Sequence, residues 1–357
     1  MLQGALRSIL LGGVACSVLL ALGVGCDGRG GVRSDDLGRN CVLDPNKLRE
    51  GTDRFSVVAL NDPPVLNASS SKLRADDRVL ALLVGDTPLA VPRKLLNQHE
   101  IVNLNTWINK PITVTYCPLT QSSLAFERSA VEGAEFEVSG LLLDNNLVMF
   151  EKGQEKSLWS QMGRRAICGP QAGTTLDMVP ILDVQWGYWR SLHPETKVLP
   201  ITVNSGEEQS TEAGRNPQPM MASDRELSGL VLGLPRISRR EGGKVSTTRS
   251  TALPFNVLHN DQPARVVDLS SGGAGPVVFW HKDARAAMAY MASGTFSATD
   301  DGFYVDDRTG STWTLDGRAI EGPRRGERLD PVETAYVAQG NAWEDFHPDT
   351  DVWAPSP

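Results

Sequence analysis

The chain has 357 residues, 40% hydrophobic and 22% charged, with a formal net charge of −8. That length accommodates roughly two domains of about 150 residues each, and the composition is that of a globular protein able to form a core. The acidic balance excludes a general nucleic-acid binder, which needs a basic face to meet phosphate.

Residues 1–26 open with a single charge, Arg7, followed by an apolar run from Ile9 to Val24 and then Cys26. A charged start, an apolar core and a small-residue region are the layout of a secretory signal. The cysteine directly after Leu22-Gly23-Val24-Gly25 has the form of a bacterial lipoprotein signal, in which Cys26 is lipidated and becomes the mature N-terminus. One position departs: Gly23, not leucine, stands three residues before Cys26. Ordinary cleavage and an uncleaved anchor are the alternatives, although the run is at the short end of the about 17–25 residues that span a bilayer. The expectation is an exported protein of the cell envelope, on the periplasmic side or extracytoplasmic surface. Its partner is the membrane, through the lipid anchor; nucleic acid is excluded, and a protein or small-molecule partner is not identified.

Residues 27–55 are polar, Gly-rich and charged, and read as a tether. Cysteines oxidise outside the cytoplasm. Of the five in the chain, Cys16 leaves with the leader and Cys26 is the lipid site, so Cys41, Cys117 and Cys168 remain. An odd number leaves at least one thiol unpaired, and the pairing stays open.

Residues 204–227 form a second polar stretch, a linker that divides the chain into halves at 56–203 and 228–353. The β-rich runs are VLALLVG, ITVTYC, LLLDNNLVMFE and VVFW; the DNN of the third marks a hairpin. VQWGYWRSLHP and GNAWEDFHP read as short helices stopped before proline. The halves match in register. Trp159 aligns with Trp313, Arg165-Ala166-Ile167 with Arg318-Ala319-Ile320, and Gly169-Pro170 with Gly322-Pro323. Further on, Trp189 aligns with Trp343, His193-Pro194 with His347-Pro348, and Thr196 with Thr350. This predicts a tandem duplication of a domain of about 130 residues. The fold class is α+β, predominantly β: two tandem homologous β-rich domains with short helices, barrel or sandwich left open.

The shared phrase His-Pro-Glu/Asp-Thr-x-Val has a structural explanation. Proline ends the helix, the acidic residue and threonine suit a turn, and the histidine is placed to cap the last helical carbonyls. Function is better sought where the halves differ. The first carries His99 and Glu100, which align roughly with Asp261 and Gln262, and Cys117, which aligns with His281. Both halves thus place a polar, potentially ligating group at the end of the same strand.

PRKLLNQHEIVN, VTYCPLTQSSLAFER, VSGLLLDNNLVMFEKGQEKSLWSQ, LHPETKVL, TGSTWTLDGRAIEGP and FHPDT together resemble the DUF3179 family of uncharacterised bacterial and archaeal envelope proteins. The resemblance covers about residues 56–353 and carries no established activity. It implies a Tyr-Cys-Pro-Leu motif that often continues into a second cysteine, and here that position is Thr120. A lone cysteine cannot form its own redox disulfide, and threonine is a poor soft-metal ligand.

Three functions are weighed. The first is a surface-tethered binding or scaffold module. The second is a copper or zinc site, or a thiol site, built from Cys117 and His99 with His281 or Glu100, since thiolate and imidazole suit those metals. The third is an enzyme with Cys117 as nucleophile and His99 as base; against it, neighbouring side chains such as His99 and Glu100 point apart if they lie on a strand.

Overall fold

Strands dominate, as the alternating and β-branched runs require. The computed structural model describes residues 40–355, apart from 52–56, 106–109, 154–155, 203–227 and short breaks at 237, 242–243, 248 and 271–272. The leader with Cys26, much of the tether and the whole of the linker lie outside the described residues.

The two halves lay down their elements in the same order. Strands Arg78–Val84 and Thr87–Pro92 lead into helix α1, Arg93–His99; strands Leu230–Leu234 and Ser250–Pro254 lead into the shorter α3, Phe255–Leu258. Three strands follow: Ile101–Leu104, Ile112–Cys117 and Ser122–Glu127 in the first half, Ala264–Asp268, Gly275–His281 and Ala286–Ala292 in the second. A small meander comes next. The halves close with Leu182–Gln185, α2 (Trp186–Leu192) and Lys197–Val198, against Tyr336–Gln339, α4 (Gly340–Phe346) and Thr350–Val352. The helices before His-Pro and the DNN hairpin are where the sequence places them. Asp144 and Asn145, with φ of 49° and 60°, form the two-residue loop between Phe136–Leu143 and Asn146–Glu151. Positive φ at both loop positions is the turn that matches strand twist.

The sheets do not respect the division at 204–227. One eight-stranded sheet joins first-half strands ending in Ile112–Cys117 and Ser122–Glu127 to the second-half set Tyr336–Gln339, Leu230–Leu234, Ser250–Pro254 and Thr350–Val352. The junction is the pairing of Ser123 with Val337, where Gln339 N–H also donates to Thr120 O at 2.8 Å. The reciprocal junction brings Leu182–Gln185 beside the second-half strands, where Gln185 N–H donates to Ala284 O at 3.2 Å. The cores are mixed too. Trp186 and Trp189 pack with Phe279, Tyr290 and Trp313; Tyr336 and Trp343 pack with Phe126, Phe136 and Trp159. Burying a phenylalanine such as Phe126, Phe136 or Phe279 contributes about 1.5–3 kcal/mol relative to exposure. The fit is close: a Cβ on Gly233 would lie 2.1 Å from the Trp343 ring, so only glycine serves there.

The repeated phrase makes the same hydrogen bond twice. Trp189 Nε1 donates to Thr196 Oγ1 at 2.9 Å, and Trp343 Nε1 to Thr350 Oγ1 at 2.9 Å. Each histidine ends its helix, but through its backbone N–H, to Trp189 O at 2.9 Å and Trp343 O at 2.8 Å, rather than through its ring. The rings lie against the tryptophans at 4.2 and 3.9 Å and then differ. His193 Nε2 is 3.0 Å from Asp316 Oδ2 in the other half, whereas His347 Nε2 is 2.8 Å from the Tyr336 hydroxyl. Finally, Cys41 is disulfide-bonded to Cys168, and Cys117 is free and buried.

Candidate functional site

Arg93–His99 contains no β-branched residue, which favours the helix α1 that it forms after Pro92. His99 is therefore the last residue of a helix and Glu100 its C-cap, not neighbours on a strand. Glu100 adopts φ 56°, donates its N–H to Leu96 O at 2.7 Å and accepts Tyr116 N–H at 2.9 Å. The helix end is thus stitched to the strand that ends in Cys117.

His99 is buried, with Nδ1 2.9 Å from Val58 O. A carbonyl only accepts, so Nδ1 carries the proton and the lone pair of the neutral ring is on Nε2. Burial lowers its pKa, against the Val58 contact that raises it. Cys117 is 2% exposed, and its Sγ donates to Asn145 O at 3.8 Å. Burial first, and the Glu100 charge second, push its thiol up; Thr120 and Leu119 oppose them. Nucleophilic attack needs the thiolate, which these surroundings disfavour.

His281 ends the equivalent strand, as the register predicts. Its Nδ1 accepts Ala284 N–H at 3.2 Å, which places the proton of the neutral ring on Nε2. That nitrogen is a donor and has no lone pair for a metal. Burial lowers the His281 pKa, with Asp283 opposing. Among the described residues no group of three or more His, Cys, Asp or Glu side chains is placed to hold a metal. Of the candidates, only His99 presents a histidine nitrogen in the form a metal or a proton needs.

Two polar groups flank Cys117 that sequence reasoning missed. In the first, Asn146 Nδ2 donates to Thr120 Oγ1 at 3.0 Å, Ser122 Oγ at 3.0 Å and Gln161 Oε1 at 2.7 Å. Gln161 Nε2 donates to Thr115 Oγ1 at 2.9 Å, and Asn146 Oδ1 accepts Met162 N–H at 3.0 Å. All five side chains are buried and bonded, the arrangement that makes interior polar groups tolerable.

The second group is charged. Arg78 Nε donates to Asp183 Oδ1 at 2.8 Å, Ser123 Oγ to Asp183 Oδ2 at 2.9 Å, and Arg93 NH1 lies 3.7 Å from Asp183 Oδ2. Arg93 also donates to the Tyr116 hydroxyl. Burial pushes the Asp183 carboxyl up, but Arg78, Arg93 and the Ser123 hydroxyl outweigh it and hold the pKa below the usual range. Arg78 NH1 further donates to Arg285 O at 3.0 Å, across the junction of the halves. A legible signal existed: by the shared element order Arg93 corresponds to Phe255, Tyr116 to Trp280, Ser123 to Ala287 and Asp183 to Val337. Polar in one half and apolar in the other is a difference the alignment holds.

A cleft of about 540 Å³ lies at α3 and α4, between Val231, Ala252, Asn256, Trp343 and Val352. None of His99, Glu100, Cys117 or His281 lines it.

The architecture defines a predominantly β α+β protein of two interleaved halves, with two buried polar groups in the half that holds the free thiol. The family described as "Protein of unknown function (DUF3179)" matches residues 57–350. The chain belongs to the DUF3179 family. No curated protein and no solved structure matches it.

Proposed function

We propose that the chain is an exported, lipid-anchored module of the cell envelope that acts by binding or scaffolding, and that it arose by tandem duplication. The carrying observation is the Cys41–Cys168 disulfide, which joins the middle of the 27–55 stretch to the fold. Such bonds persist in oxidising, extracytoplasmic compartments, in keeping with the signal-like leader. The common element order and the twice-made Trp–Thr hydrogen bond support duplication. The protonated, enclosed Cys117 favours binding over nucleophilic chemistry.

The test is fractionation and lipid labelling of the full chain beside Cys26→Ala. Membrane-bound, lipid-labelled protein that loses label and anchor in the variant is the expected outcome. An unprocessed cytoplasmic chain with both Cys41 and Cys168 reduced would sink the reading.

A second reading, a copper or zinc site at Cys117 and His99, is favoured by the His99 tautomer. Metal content of the purified protein beside Cys117→Ser and His99→Ala decides it: about one equivalent lost in both variants would support the site, and metal-free protein after reconstitution under reducing conditions would remove it.

A further inference from the structure

We infer that the Cys41–Cys168 disulfide is a thiol-exchange site whose reduction releases a strap over an apolar sheet face. The strap is residues 40–51. Cys41 bridges to Cys168 beside one edge of the five-stranded sheet, while Leu48–Glu50 pairs with Leu141–Leu143 of Phe136–Leu143 toward the other. Under it lie Leu141, Leu143, Phe150, Leu158 and Ile167, against which Cys41, Leu43 and Leu48 pack.

The strap itself is weakly held. None of residues 40–51 is fully buried. Among the described residues its attachments beyond the Leu48–Glu50 pairing include Val42 N–H to Ile167 O at 2.9 Å, Gly169 N–H to Asn40 O at 2.8 Å, Asn40 Nδ2 to Gly169 O at 3.1 Å and Gly51 N–H to Gly140 O at 2.9 Å. Segments with few buried contacts and exposed backbone hydrogen bonds open at low free energy unless something pins them. Here the covalent bond is the pin.

The two sulfurs are unequal. Cys168 is fully buried, whereas Cys41 is partly exposed. A thiolate of an external dithiol therefore reaches Cys41 Sγ. The Cys41–Cys168 bond breaks as a mixed disulfide forms at Cys41, and Cys168 leaves as thiolate and takes a proton. The second thiol of the reductant attacks the mixed disulfide and frees Cys41. The reductant ends as its own disulfide and the protein gains two electrons and two protons. Cys117 takes no part, because it is enclosed elsewhere in the core. Release bares the apolar face and lengthens the tether. Phe346 of α4 packs on the same cluster, so the second half also borders the uncovered face.

The physiological sense of this switch rests on the export reading, which supplies the oxidised state; the chemistry is tested without it. Full-length protein is purified in detergent, air-oxidised, and followed by hydrogen exchange before and after dithiothreitol. The amides of Val42, Gly51 and Gly169 are expected to exchange at least tenfold faster after reduction, with Ile112–Cys117 unchanged. Glutathione is expected to trap first on Cys41. Protection of residues 40–51 that survives reduction overturns the inference, as does loss of protection in Ile112–Cys117 at the same rate, which would make the bond a staple of the whole fold. Trapping first on Cys168 overturns the assigned attack point. Cytoplasmic localisation would sink the export reading and leave these exchange results standing.

Discussion

The first half buries Arg78, Arg93, Asp183, Ser122, Ser123 and Thr120; at matching places the second half carries Leu230, Phe255, Val337, Ala286, Ala287 and Ala284. The same strands and helices form around both sets. Packing alone therefore does not call for the polar residues. Burying charge carries a desolvation cost that partners must offset, so the first half keeps these groups at some cost in stability. The contrast separates what the architecture requires, the tryptophans, threonines and turns common to both halves, from what one half has been given in addition.

The largest effect expected on breaking this contrast is at Asp183. Asp183→Val alone leaves Arg78 and Arg93 buried without their carboxylate and should cost about 3–5 kcal/mol in denaturant unfolding. Installing the second half's counterparts of the three charged residues, Arg78→Leu, Arg93→Phe and Asp183→Val, should recover most of that loss. A triple variant no more stable than the single would show that the two interiors are not interchangeable.

Next come the shared hydrogen bonds. Thr196→Val and Thr350→Val each strand a tryptophan N–H and should each cost about 1–3 kcal/mol. Thr196 is fully buried and Thr350 only partly so, and the first variant should lose more. Equal losses would mean that solvent does not relieve Trp343.

The histidines give a smaller, pH-dependent difference. Burial, with Arg164 adding to it, pulls the His347 pKa to about 4 from the ordinary 6.5. The unfolded ring therefore binds a proton more readily than the folded one. Its contribution is complete above the ordinary pKa and is lost as pH falls from there toward 4. Unfolding measured across that window should show a shallower pH dependence in His347→Asn than in the parent. Asp316, beside His193, shifts in the same direction for a different reason: burial raises its pKa, but His193, Thr314 and Arg328 outweigh that and lower it. Its contribution is present above the unfolded carboxylate pKa and fades only at lower pH, through the depressed folded value. The smallest effect is on the surface. Arg236 and Asp349 are ion-paired at 3.0 Å but largely exposed, and Arg236→Ala should change stability by less than about 0.5 kcal/mol.

The strands, the helices before His-Pro and the correspondence between the halves were legible because they rest on local pattern. Strand runs show in β-branched alternation, and Trp-x-x-x-His-Pro fixes a helix and its stop within a few residues. Helix α1 was legible in principle and overlooked: its Arg-Lys-Leu-Leu-Asn-Gln-His run was read through the histidine it ends with. The pairing of Ser123 with Val337 was not legible, because periodicity tells which face of a strand is buried and not which strand lies beside it. The same holds for Asp183, whose partner Arg78 is 105 positions away. The candidate residues were found by type, and type alone could not show that His99 and His281 hold their protons on opposite nitrogens.

The crossing of strands between the halves has a consequence for ancestry. Under the proposed duplication, a single-copy ancestor would have ended each sheet at a raw edge, at the strand now bearing Ser123, and would have needed a twin to finish it. The present chain would then be a symmetric dimer made permanent by fusion. Fusion ends the obligation to be identical: a change on one side no longer appears on both. One copy is then free to lose its charges and serve as a scaffold while the other keeps a single, unduplicated centre.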